Sequence, residues 1–469
     1  MASILNLALL AILTFIIPVN QIKIPEHQKI LNSFSGNLND GGSFHLILTK
    51  NKDTKNYDIL TYTHNDKGFT ELPSVSFEKK LGILSFHSNG EAITLIVKSK
   101  IDGDTSIQVL DFNQATEHIS KSKPILYENY KTIIREDHKN TILFVKDGEL
   151  KTMEILSAEN IVDQSIELDY EAKKFMNDLE DEGLTPINTD EYVKNGSIKS
   201  FKAYSENGEI IITQDDQSTG FVNLLKLSMS SEKIVSSFSS LKSKPVEKYK
   251  KNSSYFIADK IYQLKMGKKD AKLNVFQADG SSKRTIDLLG TKVLENSSNR
   301  EAAENFSKKA SRNANHPTIT LNETKQGAFK IRLDYVNKNT YNYNYHWWWH
   351  HHWMMQQQMM IHQQMHQNAM RNMSRFGPNS NEDHAAIYNL NSIAKQSHFE
   401  LGITANGELI DPKDLKTKKQ EIDKQKIIKQ IEDDKKLKHS STVFYDDHYI
   451  YFAFAKKQKS FKLIRQEYN

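Results

Sequence analysis

Cysteine is absent from all 469 residues. That removes disulfides, a thiol nucleophile, Cys-based zinc or iron–sulfur sites and a lipidated N-terminal cysteine. A strong charge of either sign is missing too: the formal net charge is only +5. No basic stripe interleaved with aromatics stands on a recognisable module, so nucleic acid is not an expected partner. Long apolar runs are lacking with one exception, Ile4 to Ile17 (ILNLALLAILTFII). It is too short for an ordinary spanning helix, which needs roughly 20 residues, and it fits the apolar region of a secretory signal. No Lys or Arg precedes the run and no small-x-small cleavage site follows it. The alternative is a buried N-terminal helix. The expectation is a signal peptide over residues 1–20, a mature chain starting between Asn20 and Ile24, and an exported protein: periplasmic, outer-membrane associated or extracellular.

Catalytic signatures are also missing. There is no G-x-S-x-G, H-E-x-x-H, P-loop or strand-following G-x-G-x-x-G. Two acid–histidine clusters occur, Glu382-Asp383-His384 and Asp446-Asp447-His448; the second reads as a hairpin turn. Asp102 and Asp104 sit close together in "IDGDTS", but a calcium loop needs further acceptors and a closing Glu. That stretch also reads as a turn. No catalytic residue is expected from the sequence.

What is present is a succession of short alternating segments. Phe44–Thr49, Tyr57–Thr63, Leu81–His87, Ala92–Lys98 and Ser106–Phe112 open the series, and it runs on to Thr442–Tyr445, Tyr449–Ala453 and Ser460–Arg465. Such spacing, broken by turn residues, predicts a mainly β chain: barrel, sandwich or propeller. "FHSNGEAITLIV", "YSENGEIIITQ" and "LGITANGELI" place Asn-Gly-Glu between two strands, and "LFVKDGELKTMEI" places Asp-Gly-Glu there. Asn-Gly and Asp-Gly suit two-residue hairpin turns, where both central residues need positive φ.

Strand, Asn/Asp-Gly turn, strand, then a third strand such as "TSIQVLDF" resembles the blade of WD40-like or TolB-type β-propellers. The "SPDG" turn of that family is replaced here by "SNGE" and "SENGE". The resemblance implies a β-propeller-like fold; roughly 25 to 28 strands would make six or seven four-stranded blades. Two β-sandwich or mixed β domains are the alternative. The texture, rich in Lys, Asn, Ser and Ile, with segments such as "SSYFIADKIYQLKMGKKDAKLNVFQADG", also resembles exported proteins of Bacteroidota. It implies no activity. One propeller-like domain over residues 24–469 is therefore expected.

Three stretches interrupt the β pattern. Tyr170–Gly183 reads as a surface helix, Asn299–Asn313 as a polar helix or loop, and Asp411–His439 as a charged helical insert with one thin apolar stripe. A fourth differs from everything else. Residues 337–384 hold all four tryptophans and, between Tyr341 and Met373, six of the 17 histidines and seven of the 12 methionines. Phe329–Val336 reads as the strand leading in, and Trp353 to Arg375 as a helix stopped by Gly377-Pro378.

On that helix Met355, Met359, His362 and His366 fall near one face. His362 and His366, at i and i+4, could share a metal: Cu(I) with the thioethers, Cu(II), Zn or Ni with imidazole alone. Trp347, Trp348, Trp349 and Trp353, with Tyr343 and Tyr345, make a contact surface for a protein partner or an outer-membrane surface. The sequence thus reads as an exported binding or scaffolding protein of the cell envelope. A periplasmic Cu/Zn-handling protein is the alternative, and a propeller hydrolase the third reading.

Overall fold

The computed structural model describes residues 19–337 and 398–468, except 39–40, 67, 102–103, 127, 137, 195, 230–233, 244, 268–269, 281–282 and 291–296. Among the described residues, strands gather into seven sheets, each built largely from consecutive strands. After β1 (Val19–Lys23), blade 1 is β2 (Gln28–Asn37), β3 (Ser43–Asn51), β4 (Tyr57–Asn65) and β5 (Gly68–Phe77). Blade 2 is β6 (Gly82–Ser88), β7 (Ala92–Ile101) and β8 (Asp104–Asn113); the short β9 (Ile119–Lys121) and β10 (Ile125–Leu126) both pair with β8. Blade 3 is β11 (Tyr130–Arg135), β12 (Asn140–Lys146), β13 (Glu149–Ile155) and β14 (Ile161–Ile166).

Helix α1 (Tyr170–Asp181) leads to blade 4: β15 (Leu184–Ile187), β16 (Phe201–Glu206), β17 (Glu209–Asp215), β18 (Val222–Ser228) and β19 (Val235–Leu241). Blade 5 is β20 (Lys251–Ile257), β21 (Lys260–Met266), β22 (Ala271–Gln277) and β23 (Lys283–Asp287). Helix α2 (Ser297–Ala310) precedes blade 6, which is β24 (Asn315–Glu323), β25 (Phe329–Asn337), β26 (Phe399–Ile403) and β27 (Leu409–Ile410). Helix α3 (Lys424–Glu432) precedes blade 7: β28 (Leu437–Phe444), β29 (His448–Ala455), β30 (Ser460–Glu467), and β1 paired antiparallel on β30.

This is a propeller-like fold. Sandwiches join strands through Greek-key crossings between two sheets; here each blade is built from strands near in order, antiparallel except for the parallel β15–β16 pair, and among the described residues only blade 7 borrows a distant strand. The chain divides into two compact units, Met1–Lys80 with Lys426–Asn469, and Leu81–Gln425. In the first, Ile47, Tyr62, Phe452 and Phe461 pack the core of blades 1 and 7. In the second, one cluster seats α1 on blades 3 and 4, and another joins blades 4 to 6 with α2.

Helix α1 shows how local sequence sets an element. Asp169 caps it, its carboxylate accepting from Ala172 N at 2.8 Å, which removes one orphan N–H. Ala172, Phe175, Met176 and Leu179, at helical spacing, are the buried face. The expected helix over Asp411–His439 is much shorter, occupying only Lys424–Glu432. Pro412 favours a 3-10 turn, and residues 415–423 are irregular, held beside β24 by the Thr417–Thr324 bridge and by Lys418 N, which donates to Glu323 O at 2.7 Å. Lys416, Lys418, Lys419 and Glu421 of that stretch are exposed, and the apolar stripe of the helix is Ile427, Ile428 and Ile431, with Ile427 and Ile431 packed on Tyr449 and Tyr451.

Of the Asn/Asp-Gly turns, Asp147-Gly148 and Asn207-Gly208 have both residues at positive φ, as two-residue hairpins require. At Asn89-Gly90 and Asn406-Gly407 only the glycine does, and the loops are longer. Gly148 carries a second constraint: at φ +74°, an added Cβ would stand 2.7 Å from Asn177 Oδ1 of α1. Gly148→Ala is expected to cost about 1–2 kcal/mol in urea unfolding, left-handed strain plus the clash. Gly208→Ala, with open space around it, should cost only the strain.

Candidate functional site: a charged cluster at the root of the insert

Strand β25 alternates cleanly. Phe329, Ile331, Leu333 and Tyr335 enter the core of the Leu81–Gln425 unit, which leaves Lys330, Arg332 and Asp334 on the other face. Register then places Glu400 of β26 opposite Arg332, with Leu333 opposite Phe399. Beyond Asn337 the chain enters the insert, and it returns at His398. The cluster therefore stands where the insert is rooted.

Two further segments bring charge to the same face. Residues 188–194, which follow β15, reach from blade 4 to blade 6, where Val193 N donates to Asn322 Oδ1 (2.8 Å) and Asn322 Nδ2 donates to Val193 O (3.0 Å). Gly196 fits there because an added Cβ would lie 2.8–2.9 Å from Thr318 and Ile319. The second segment, 415–424, is joined to β24 by the Thr417–Thr324 bridge.

Arg332 sits between two carboxylates, Nη2 3.2 Å from Asp334 Oδ2 and Nη1 3.7 Å from Glu400 Oε1. Lys330 Nζ lies 2.9 Å from Glu421 and 3.6 Å from Glu400, and His398 Nε2 is 3.6 Å from Glu400. Lys194–Asp423 (2.6 Å) and Lys424–Glu191 (2.7 Å) tie the two crossing segments together. These outer pairs are a third or more exposed on one side and contribute little to stability.

Burial pushes the Asp334 carboxyl up, against the pull of Arg332 and of Tyr335 N–H. Burial, then Arg332, pushes His398 down. The Tyr192 phenol is raised, by burial first and then by Glu421. Lys330 ends above its usual range: burial opposes the charge, but the Glu421 hydrogen bond and Glu400 outweigh it. The site thus sets the Asp334 carboxyl, pushed up by burial, and the Glu400 carboxyl on either side of Arg332, with Lys330 and His398 also within 3.6 Å of Glu400. That combination can bind a polar group or pass a proton to one.

The predicted contact residues Trp347, Trp348, Trp349, Trp353, Tyr343 and Tyr345 lie outside the described residues, as do the metal candidates His362, His366, Met355 and Met359. Glu382, Asp383, His384, Asp102 and the apolar run Ile4–Ile17 lie outside them too. Asp104 opens β8, directly across a two-residue connection from Ile101. Asp446 and Asp447 form the β28–β29 turn, where Asp447 Oδ1 reaches His448 Nδ1 at 2.6 Å. Sequence reasoning missed the blade 6 cluster, although period-two charge in "FKIRLDYV" was the available signal.

No protein-family model and no curated protein matches this sequence. Among solved structures, the chain is similar to prolyl oligopeptidase B from Galerina marginata bound to a 35mer substrate. Identity is 8% and TM-score 0.34, over 66% of this chain and 42% of that one. It is also similar to a Penicillium chrysogenum alpha-L-arabinanase complexed with arabinobiose, at 9% identity and TM-score 0.27, over 58% and 86%. A third is cobalt-substituted Synechocystis ACO, at 10% identity and TM-score 0.27, over 56% and 61%. The chain therefore spans less than half of the peptidase and under two thirds of the Synechocystis protein. The protein is propeller-like on the evidence of its own sheets.

Proposed function

We propose that this chain is an exported binding protein of the cell envelope, a propeller-like scaffold that carries the Trp/His/Met-rich insert to a protein partner or outer-membrane surface. Placement supports the reading. The insert interrupts one hairpin connection of blade 6, between strands in register from Phe329 opposite Ile403 to Leu333 opposite Phe399. A binding element of variable sequence can be accommodated there without disturbing the ladder, as in loop-borne sites on other scaffolds. Its tryptophans and tyrosines are the residue types that dominate contact surfaces. Changing Trp347, Trp348 and Trp349 to Ser should reduce recovery of a partner from an envelope fraction at least tenfold. Undiminished recovery sinks the reading.

A second reading, hydrolysis, is favoured by one observation: two carboxyls, Asp334 and Glu400, share Arg332, and burial pushes the Asp334 carboxyl up. Acid and base halves of hydrolytic sites are set apart in this way. If it is right, Asp334→Asn and Glu400→Gln should each lower turnover of an aryl-glycoside or peptide substrate about 100-fold or more. Folding, followed by circular dichroism, should not change. Wild-type protein inert on both substrate classes would remove this reading.

A further inference from the structure

Strand register decides which loops share an end of the unit formed by Met1–Lys80 and Lys426–Asn469. In blade 1, Gln28 faces Asn51, Lys50 faces Tyr57 and Tyr57 faces Phe77. The start of β2, the β3–β4 turn and the exit of β5 therefore lie together. In blade 7, Leu437 faces Ala455, Ala455 faces Ser460, and Ser460 faces Lys23. Residues 24–27 join Lys23 directly to β2, and Lys52 N donates to His27 O at 2.8 Å. Both blades thus present these loops at one common end.

That end is lysine-rich. Blade 7 places Lys435, Lys436 and Lys438 at the entry to β28 and Lys456, Lys457 and Lys459 in the β29–β30 turn, all exposed. The two groups touch, with Lys456 N donating to Lys436 O at 3.0 Å. From blade 1 and its link come the exposed Lys23, Lys29, Lys52, Lys55, Lys79 and Lys80. Over 23–29, 50–57, 77–80, 433–438 and 455–460 there are thirteen lysines, five carboxylates and no arginine. The turns and strand ends at the opposite end carry, in sequence, Asp40, Asp66, Asp446, Asp447 and Glu467 against Lys67 and Arg465, the reverse sign.

We propose that the lysine end docks on an anionic phospholipid membrane. The cations sit on the tips of turns spread over two blades, the arrangement a flat sheet of charge asks for. Ammonium is a hydrated point charge; it lacks the planar fork with which arginine grips phosphates in pairs or stacks on bases. Single-stranded nucleic acid would further require aromatic platforms along a basic groove. An anionic bilayer requires only positive charge within a Debye length of its surface. The opposite polarity of the far end orients the unit in that field. None of these lysines belongs to the insert.

The test is co-sedimentation of the full chain with phosphatidylcholine vesicles, with and without phosphatidylglycerol. The chain should bind only the anionic vesicles at about 50 mM salt, and at least tenfold more weakly at about 500 mM. Lys435→Glu, Lys436→Glu, Lys456→Glu and Lys457→Glu together should weaken binding tenfold or more, and a set changed to Gln should weaken it less. Lys308→Glu with Lys309→Glu, on α2, should have no effect. Full binding by the four-site variant overturns the proposal, as does lysine-dependent binding to duplex DNA with none to vesicles. The Trp347–Trp349 serine variant separates the two surfaces. If vesicle binding is lost with the tryptophans but kept without the lysines, the insert is the membrane contact and this proposal fails.

Discussion

Replacing Asp215 by Ala is expected to lower the unfolding free energy by about 3–5 kcal/mol, the range for removing one partner of a buried ion pair. Lys202 Nζ donates to Asp215 Oδ2, and both side chains are 1% exposed. The same carboxylate oxygen accepts from Ser254 N of blade 5 at 3.2 Å. Without it, the ammonium stays in a dry site with no counter-charge, and a backbone N–H between two blades loses its acceptor. Changing both residues to apolar ones of similar volume, Lys202→Met with Asp215→Leu, removes the charge problem. That double variant should recover most of the loss. Urea unfolding measures both. A loss below about 1 kcal/mol for Asp215→Ala would mean that water reaches the pair.

Acid is expected to destabilise the Leu81–Gln425 unit through His87, with an onset near pH 6.5, above the ordinary carboxylate range. Its ring is 1% exposed, with Nε2 3.0 Å from Leu156 O and Nδ1 2.6 Å from Asn140 Nδ2. Ser85 donates to Asn140 Oδ1, so the amide presents its NH₂ to Nδ1, and the neutral ring keeps its proton on Nε2. Protonating Nδ1 would set donor against donor. Burial foremost, opposed by the Leu156 carbonyl and helped by Arg135 and His138, takes the pKa from 6.5 down to about 4.

The folded state therefore stays neutral while the unfolded chain takes up a proton below pH 6.5. Stability is fully present above that value and is lost as pH falls toward about 4. The loss comes to roughly 3 kcal/mol at 1.36 kcal/mol per pKa unit. His87→Gln should flatten the profile of melting temperature between pH 7 and pH 4. If wild type and variant fall in parallel, His87 is not responsible. His45, fully buried in blade 1 with Ser35 and Ser43 on its two ring nitrogens, is pushed in the same direction, by burial and then by His64.

Much of the fold was legible because strands announce themselves by alternation. Tyr57–Thr63 and Ala92–Lys98 begin where expected and run on by two and three residues, to Asn65 and Ile101. Turn chemistry was a weaker guide. The β20–β21 hairpin turns on Ala258 and Asp259, both at positive φ without a glycine, and Glu206 of blade 4 accepts from both of their N–H groups. A neighbouring blade supplies that compensation, so it is invisible locally.

The parallel strand β15, with Pro186 inside it, was equally hidden, since it is shaped by the sheet it joins. The expected start of the mature chain between Asn20 and Ile24 falls within β1, and cleavage there would take away part of blade 7. For the site, period-two charge on β25 was readable. Its partners Glu400 and Tyr192 come from distant segments that only the fold brings in.

Blade 7 also sets a timetable. Ser460 donates to Gln21 across a separation of 439 residues, so β1 must wait for almost the whole chain before it has a neighbour. At roughly 5–20 residues per second of synthesis, that wait is on the order of 20 to 90 seconds. During it, β1 is a strand with unpaired backbone groups, open to chaperones or to other chains, and the apolar face of blade 1 lacks its blade 7 cover. The last strands made are thus the ones that complete the first.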